Sequence, residues 1–164
     1  MQGPTFDEED FFRAIQTSGA RVLLIGRRAL VALGAPLLTA DYDLWLHIDD
    51  IEKLNEHLGR LDLDPNRSPN DARKVGRYVL EGDERVDVLI ARAAPTKDGV
   101  VLTFDQAYRD RQRIRFVEGI DITIPSLDHL VLTKRWSLRP QDLPDIRFLE
   151  TLKEASVHKK DDSP

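Results

Sequence analysis

The chain has no cysteine among its 164 residues. A disulfide framework and a thiolate metal site are both excluded. It also lacks any apolar run near the roughly 20 residues that a membrane-crossing helix needs. Positive charge is in deficit: 24 Lys and Arg stand against 29 Asp and Glu, a net charge of −5, which argues against a broad surface for nucleic acid. The opening "MQGPTFDEEDFF" is acidic and has no basic-then-apolar order of a secretory signal. These absences lead to the expectation of a cytoplasmic protein with no membrane partner.

Hydrophobic residues at 41% and charged residues at 32% mark a globular chain long enough to bury a core. We expect a single domain over residues 1–155 and a disordered polar tail over 156–164, "SVHKKDDSP". Two basic groups stand out locally. Arg27 and Arg28 are adjacent, and "YRDRQRIR" gathers Arg109, Arg111, Arg113 and Arg115. Most such runs are solvated faces. In an acidic chain they are also where a phosphate-rich partner would be sought.

The hydrophobic pattern predicts a helix over 6–18 with Thr5 as its N-cap, then a buried strand in "RVLLIG". A short helix, "RRALVALG", ends at Gly34. "DYDLWLHI" is the next strand, followed by a helix capped near Asp49 or Asp50 with Ile51, Leu54 and Leu58 inward. "DPNRSPNDA" reads as a loop, and "KVGRYVLEGDERVDVLIA" as a hairpin turning at "EGDE". Residues 95–103 read as a loop, 104–112 as a short helix and "GIDITIPS" as a strand. Ser126 caps a helix in "LDHLVLTKRW", and a last helix runs from about Asp142 to Lys153. This order indicates a mixed sheet covered by helices rather than a regular βαβ array.

Strand alternation puts Tyr42, Leu44, Leu46 and Ile48 on one apolar face. Asp41, Asp43, Trp45 and His47 then share the other, outside the core. Two like charges about 4 Å apart repel by roughly 4 kcal/mol at an effective dielectric of about 20. Solvent or a bridging cation must offset that, and magnesium favours carboxylate oxygens. In "ERVDVLIA", Val86, Val88 and Ile90 form the core side, so Asp87 joins Asp41 and Asp43 if the two strands are neighbours. Three carboxylates so placed can hold two divalent ions for displacement at phosphorus. Gly26 stands at a strand-to-helix turn, where backbone N–H groups can approach a phosphate.

Together, "LLIGRRALVALGAPLLTADYDLWL", "RVDVLIA" and "PSLDHLVLTKRWSLRPQDLPDIRFL" resemble the nucleotidyltransferase superfamily. The resemblance runs from about residue 21 to 152. It is nearest to the small stand-alone bacterial type, similar to minimal nucleotidyltransferases and to abortive-infection nucleotidyltransferase toxins. It implies an α+β fold: a polymerase-β-like palm, with a mixed β-sheet covered by helices and a C-terminal helical pair. It implies that Asp41, Asp43 and Asp87 are catalytic and bind Mg²⁺, two ions in all, with Asp87 also accepting the acceptor's proton. Gly26, Arg27 and Lys134 would bind the phosphates of an NTP such as ATP.

Lys134 lies on the inward stripe of its helix, so its alternative is a side chain snorkelling from the core edge. Asp142 and Asp145 read mainly as helix-start residues. The sequence departs from the family at two places. Arg27 follows Gly26 where the family has glycine or serine, and its planar fork could meet phosphate directly. Leu37 and Leu38 stand where an arginine is frequent.

The implied activity is transfer of an NMP from an NTP to a hydroxyl acceptor with release of pyrophosphate. A tRNA or a protein is the favoured acceptor, with a small molecule such as an aminoglycoside behind them. A role in a toxin–antitoxin pair, beside a cognate toxin or antitoxin, is part of the same implication. The alternative is a catalytically weak or inactive fold serving as a binding module, an antitoxin or a regulator.

Overall fold

The computed structural model describes residues 6–91, 94–95, 101–136 and 139–161. Helix α1 (Glu8–Ser18) is N-capped by Asp7, whose carboxylate accepts from the Asp10 N–H at 3.0 Å. Asp7 thus takes the role expected of Thr5, which lies outside the described residues. Strand β1 (Val22–Ile25) leads without a linker into α2 (Gly26–Ala32). After a connector comes β2 (Tyr42–Leu46), then a 3₁₀ turn (Ile48–Asp50) and α3 (Ile51–Gly59).

Asp50 does not cap α3 with its side chain. Its buried carboxylate instead accepts from Arg21, from the backbone N–H at 2.7 Å, Nε at 2.8 Å and Nη2 at 3.1 Å. A charged guanidinium is a stronger partner than a backbone N–H that water can reach.

The segment read as a loop holds β3 (Asp64–Pro65) and α4 (Pro69–Val75). Ser68 caps α4 by accepting from the Asp71 N–H at 3.2 Å, and Pro69 occupies the first turn, where it lacks no needed donor. The hairpin forms as expected from β4 (Arg77–Glu81) and β5 (Arg85–Ile90). Short strands β6 (Ala94–Pro95) and β7 (Val101–Leu102) pair within the stretch read as a loop. Helix α5 (Phe104–Arg109) stops short of 112, and β8 (Gln112–Val117) pairs with β9 (Ile120–Ile124). Helix α6 (Leu127–Lys134) is capped by Ser126. Helix α7 (Asp142–Asp161) continues past Lys153 into the stretch expected to be disordered. No glycine or proline follows Pro144 in that helix to stop its hydrogen-bond ladder.

Five strands form one mixed sheet in the order β1-β2-β5-β4-β3. Only β2 and β5 run parallel, and they are far apart in sequence. One face carries Tyr42, Leu44, Leu46, Tyr78, Leu80, Val86, Val88 and Ile90, all buried against Phe11 and Phe12 of α1 and Ile51, Leu54 and Leu58 of α3. Each such side chain contributes about 1.5–3 kcal/mol by leaving water.

The other face is divided. Around Trp45 it is a second core, with Leu23, Ile25, Leu102, Phe104 and Ala107. Trp45 meets Phe104 edge-on at 5.3 Å and Trp136 at 5.0 Å. The expectation that this whole face lies outside the core therefore fails at Trp45, because α5 and the end of α6 cover it. Two residues earlier, at Asp43, the cover stops and the face opens into a cavity.

Candidate active site

Strand register builds the floor of this cavity. Asp43 sits directly opposite Asp87 on the parallel neighbour β5, Ile25 lies opposite Asp43 on β1, and Val79 opposite Asp87 on β4. The four residues make one rung across the sheet. Its two central members are the carboxylates.

Asp41 lies one residue before β2 begins, exposed in the connector rather than on the strand as alternation had implied. That connector is held in place by Arg28, whose guanidinium donates to the Thr39 carbonyl at 2.5 Å and lies 4.2 Å from the centre of the Tyr42 ring. Tyr42 in turn donates to Glu8 of α1.

Burial and the negative charges of Asp87 and Asp41 push the Asp43 carboxyl up to about 6, although Lys134 and Arg139 pull the other way. The electrostatics thus couple all three sequence-predicted acids. Among the described residues, no group of three Asp, Glu or His side chains forms a ready-made metal site. The donor set at the rung nevertheless fits a hard divalent cation. Two carboxylates face each other and repel, and a cation between them would relieve that cost.

Gly26 closes the floor at the β1–α2 junction. Its φ of +71° is one that residues with a side chain rarely adopt. A Cβ there would come within 2.6 Å of Asp43 Oδ2. The glycine serves two needs, a left-handed turn and room for a carboxylate against the backbone. Arg27, next in the chain, turns away. Its Nε lies 3.3 Å from Asp145 Oδ2, and it does not line the cavity.

Lys134 does line it. Its ammonium does not snorkel to solvent: the side chain is 7% exposed, 3.0 Å from Asp145 and 4.0 Å from Asp142. Asp142 and Asp145, read from sequence as helix-start residues, are thus buried counterions at the base of α7. Burial alone would raise Asp142, but hydrogen bonds from the Arg139 backbone and guanidinium, with the nearby Lys134 charge, hold its carboxyl below the usual range.

The cavity measures about 510 Å³. Its remaining wall was not foreseen. Asn66, Arg67, Arg77 and Arg85 line the side formed by β3, β4 and β5. Strand alternation could have found Arg77 and Arg85, since Tyr78 and Leu80 mark the core face of β4, as Val86 and Val88 do for β5. The arginines that drew attention in the sequence lie elsewhere. Arg111 stacks on Tyr108 at 4.0 Å, Arg115 pairs with Asp121 at 2.9 Å, and neither lines this cavity.

The chain's fold has counterparts among solved structures. It is similar to a Thermotoga maritima protein provisionally assigned as a nucleotidyltransferase, with a TM-score of 0.57, 11% identity, and 92% of this chain and 91% of that one covered. It is also similar to the antibiotic-resistance factor ANT(2'')-Ia, with a TM-score of 0.62, 15% identity, and 91% of this chain and 83% of that one covered. The fold is that of the nucleotidyltransferases. A second ANT(2'')-Ia structure, in complex with adenylyl-2''-tobramycin, matches with a TM-score of 0.62 and 15% identity over 91% of this chain and 88% of that one. No family model and no curated protein matches the chain. Within this nucleotidyltransferase fold, the β2–β5 pair sets Asp43 beside Asp87, and the β1–α2 turn brings Gly26 against Asp43.

Proposed function

We propose that the protein is a Mg²⁺-dependent nucleotidyltransferase, moving an NMP from an NTP to a hydroxyl acceptor. The observation that carries this reading is the rung itself. Asp43 and Asp87 face each other on adjacent parallel strands, on the floor of an open cavity and against a glycine turn. Few purposes other than cation binding justify two opposed carboxylates in a partly buried place.

Asp43 and Asp87 would hold the metal, with Asp41 brought in from the connector. When bound, Mg²⁺ neutralises the phosphate charge that develops during transfer. Gly26 leaves the backbone free to approach the NTP phosphates, and Lys134 offers them an ammonium from the opposite wall. Asp87 accepts the proton of the attacking hydroxyl. The hydroxyl oxygen bonds to the α-phosphorus, the bond from that phosphorus to the bridging oxygen breaks, and pyrophosphate leaves.

The alternative of an inactive binding module draws its main support from the Gly26–Arg27 turn, where the sequence departs from the family. The Arg27 side chain is engaged by Asp145. A tRNA or protein acceptor, and a place in a toxin–antitoxin pair, extend the reading through the family resemblance. ANT(2'')-Ia, with its adenylyl-2''-tobramycin, keeps a small-molecule acceptor in play.

The test incubates the protein with Mg²⁺, each NTP labelled at the α-phosphate, and either tRNA or cell extract. Label should move to an acceptor with wild-type protein and fall at least 100-fold with Asp43→Ala or Asp87→Ala, in line with losing a main electrostatic contributor. Transfer that survives both substitutions would remove these residues from the site.

A further inference from the structure

The cavity has two cationic walls of different character. On the α6–α7 side, Lys134 and Arg139 are matched by Asp142 and Asp145. On the β3–β5 side, the guanidiniums of Arg67, Arg77 and Arg85 have no buried carboxylate partner among the described residues. Arg67 donates to the Arg77 carbonyl at 3.0 Å, which fixes its position and leaves its charge uncompensated. Among the described residues, Arg85 pairs with Asp87 alone, at 3.4 Å, a carboxylate that a cation would claim. Arg77 has no carboxylate partner among the described residues. In a chain of net charge −5, three guanidiniums gathered on one wall are a local reversal of sign.

The wall is also long. Arg77 stands opposite Leu89, and Arg85 lies four residues before Leu89 on the same strand and face. Their backbones are therefore roughly 13 Å apart along the strand, with Asp87 midway. Guanidiniums set along a strand in this way suit the consecutive phosphodiesters of an extended single strand. A polycationic acceptor would meet repulsion along its whole length.

We propose that Arg67, Arg77 and Arg85 form an acceptor-side wall that binds the phosphodiester backbone of a single-stranded RNA end, presenting its terminal hydroxyl to the Asp43–Asp87 rung. This rests on the transferase reading and adds the acceptor's class. Arginine suits the task because its planar fork pairs with two phosphate oxygens at once.

The test measures two affinities, beside the label-transfer assay described above. A fluorescein-labelled RNA hairpin with a single-stranded 3′ end is titrated by anisotropy at several salt concentrations. ATP with Mg²⁺ is titrated separately. The proteins are wild type, Arg67→Gln/Arg77→Gln and Arg67→Lys/Arg77→Lys. The glutamine pair should weaken RNA binding about tenfold and flatten its salt slope by about 1.4, two lost contacts at roughly 0.7 each on a single strand. ATP binding should change less than twofold. The lysine pair, which keeps charge, should restore most of the RNA affinity and shows that the wall still folds.

RNA binding that ignores the glutamine pair overturns the proposal. So does loss of ATP binding in that pair, which would assign the wall to the NTP. Competition by an acidic peptide but not by unlabelled RNA would point to a protein acceptor and equally overturn it. Arginine-dependent RNA binding without any label transfer would sink the transferase reading and leave the wall. Efficient transfer to an uncharged acceptor without RNA binding would do the reverse.

Discussion

Asp43 and Gly26 occupy each other's space: the carboxylate oxygen Oδ2 lies where a Cβ on residue 26 would come within 2.6 Å. The glycine's φ of +71° adds a second objection to any side chain there. The contact joins the β1–α2 junction to the second residue of β2, so the turn and the acid are one structural unit.

Gly26→Ala should therefore both strain the backbone and displace Asp43. We expect a loss of about 2–3 kcal/mol in urea-monitored stability, from the left-handed conformation together with the steric clash. Gly34→Ala is the control. Its φ of +99° is also left-handed, but a Cβ there meets nothing within 4 Å. A cost at Gly26 no larger than at Gly34 would mean that Asp43 moves aside freely.

The Asp43 carboxyl, raised to about 6 from an ordinary 3.8, makes a signed prediction. The folded protein holds this proton more tightly than the unfolded chain. Stability from this group is therefore lost as pH rises from about 4 to about 6, and is flat above. Asp43→Asn should stabilise the metal-free protein at pH 7.5 by about 1–2 kcal/mol, after allowance for partial solvent screening. Its melting temperature should rise above wild type in EDTA. Adding Mg²⁺ should stabilise wild type and leave the variant nearly unmoved. A variant that melts lower than wild type in EDTA would contradict the repulsion.

Lys134 and Asp145 form a buried pair at 3.0 Å. Lys134→Met leaves two buried carboxylates short of a cation and should cost about 3–5 kcal/mol by denaturant titration. Asp145→Asn removes a partner from both Lys134 and Arg27 and should cost a similar amount. The double variant should cost less than the sum of the two, since each single change strands a charge that the other removes. Additive losses would show that the pair is uncoupled.

Asp50 runs the opposite way with pH. Hydrogen bonds from Arg21, outweighing its burial, hold its carboxyl down at about 2. The stability it provides is present above about pH 4 and lost as pH falls toward 2. Asp50→Ala should cost about 2–4 kcal/mol at pH 7, because it strands Arg21 and opens a buried site. The gap to wild type should shrink steadily in urea titrations between pH 4 and 2. A gap that stays constant over that range would indicate that packing, not charge, supplies the effect.

Local features were legible wherever one stretch of chain carried the whole signal. Period-two alternation around Tyr42, Leu44 and Leu46 identified the core face of β2, and the same logic put Asp87 outward on β5. Helix α4 was missed although its signals, Ser68 and Pro69, were present in the sequence. A dense run of turn-forming residues outvoted them. Strand β8 was missed because its arginines masked the alternation of Ile114 and Phe116.

The sequence by itself determined that Asp43 and Asp87 point away from the core, because alternation is a property of one strand. Only the tertiary structure decided that they face each other. That depends on β2 pairing in parallel with a strand more than 40 residues away, which no local period encodes. The same holds for Trp45 and Asp43, which share a face and differ in fate. Helix α5 covers one and leaves the other beside the cavity. Long-range packing likewise turned Asp142 and Asp145 into counterions for Lys134 and gathered Arg67, Arg77 and Arg85 along one wall. Burial and charge compensation are settled by neighbours in space, and those neighbours come from distant parts of the chain.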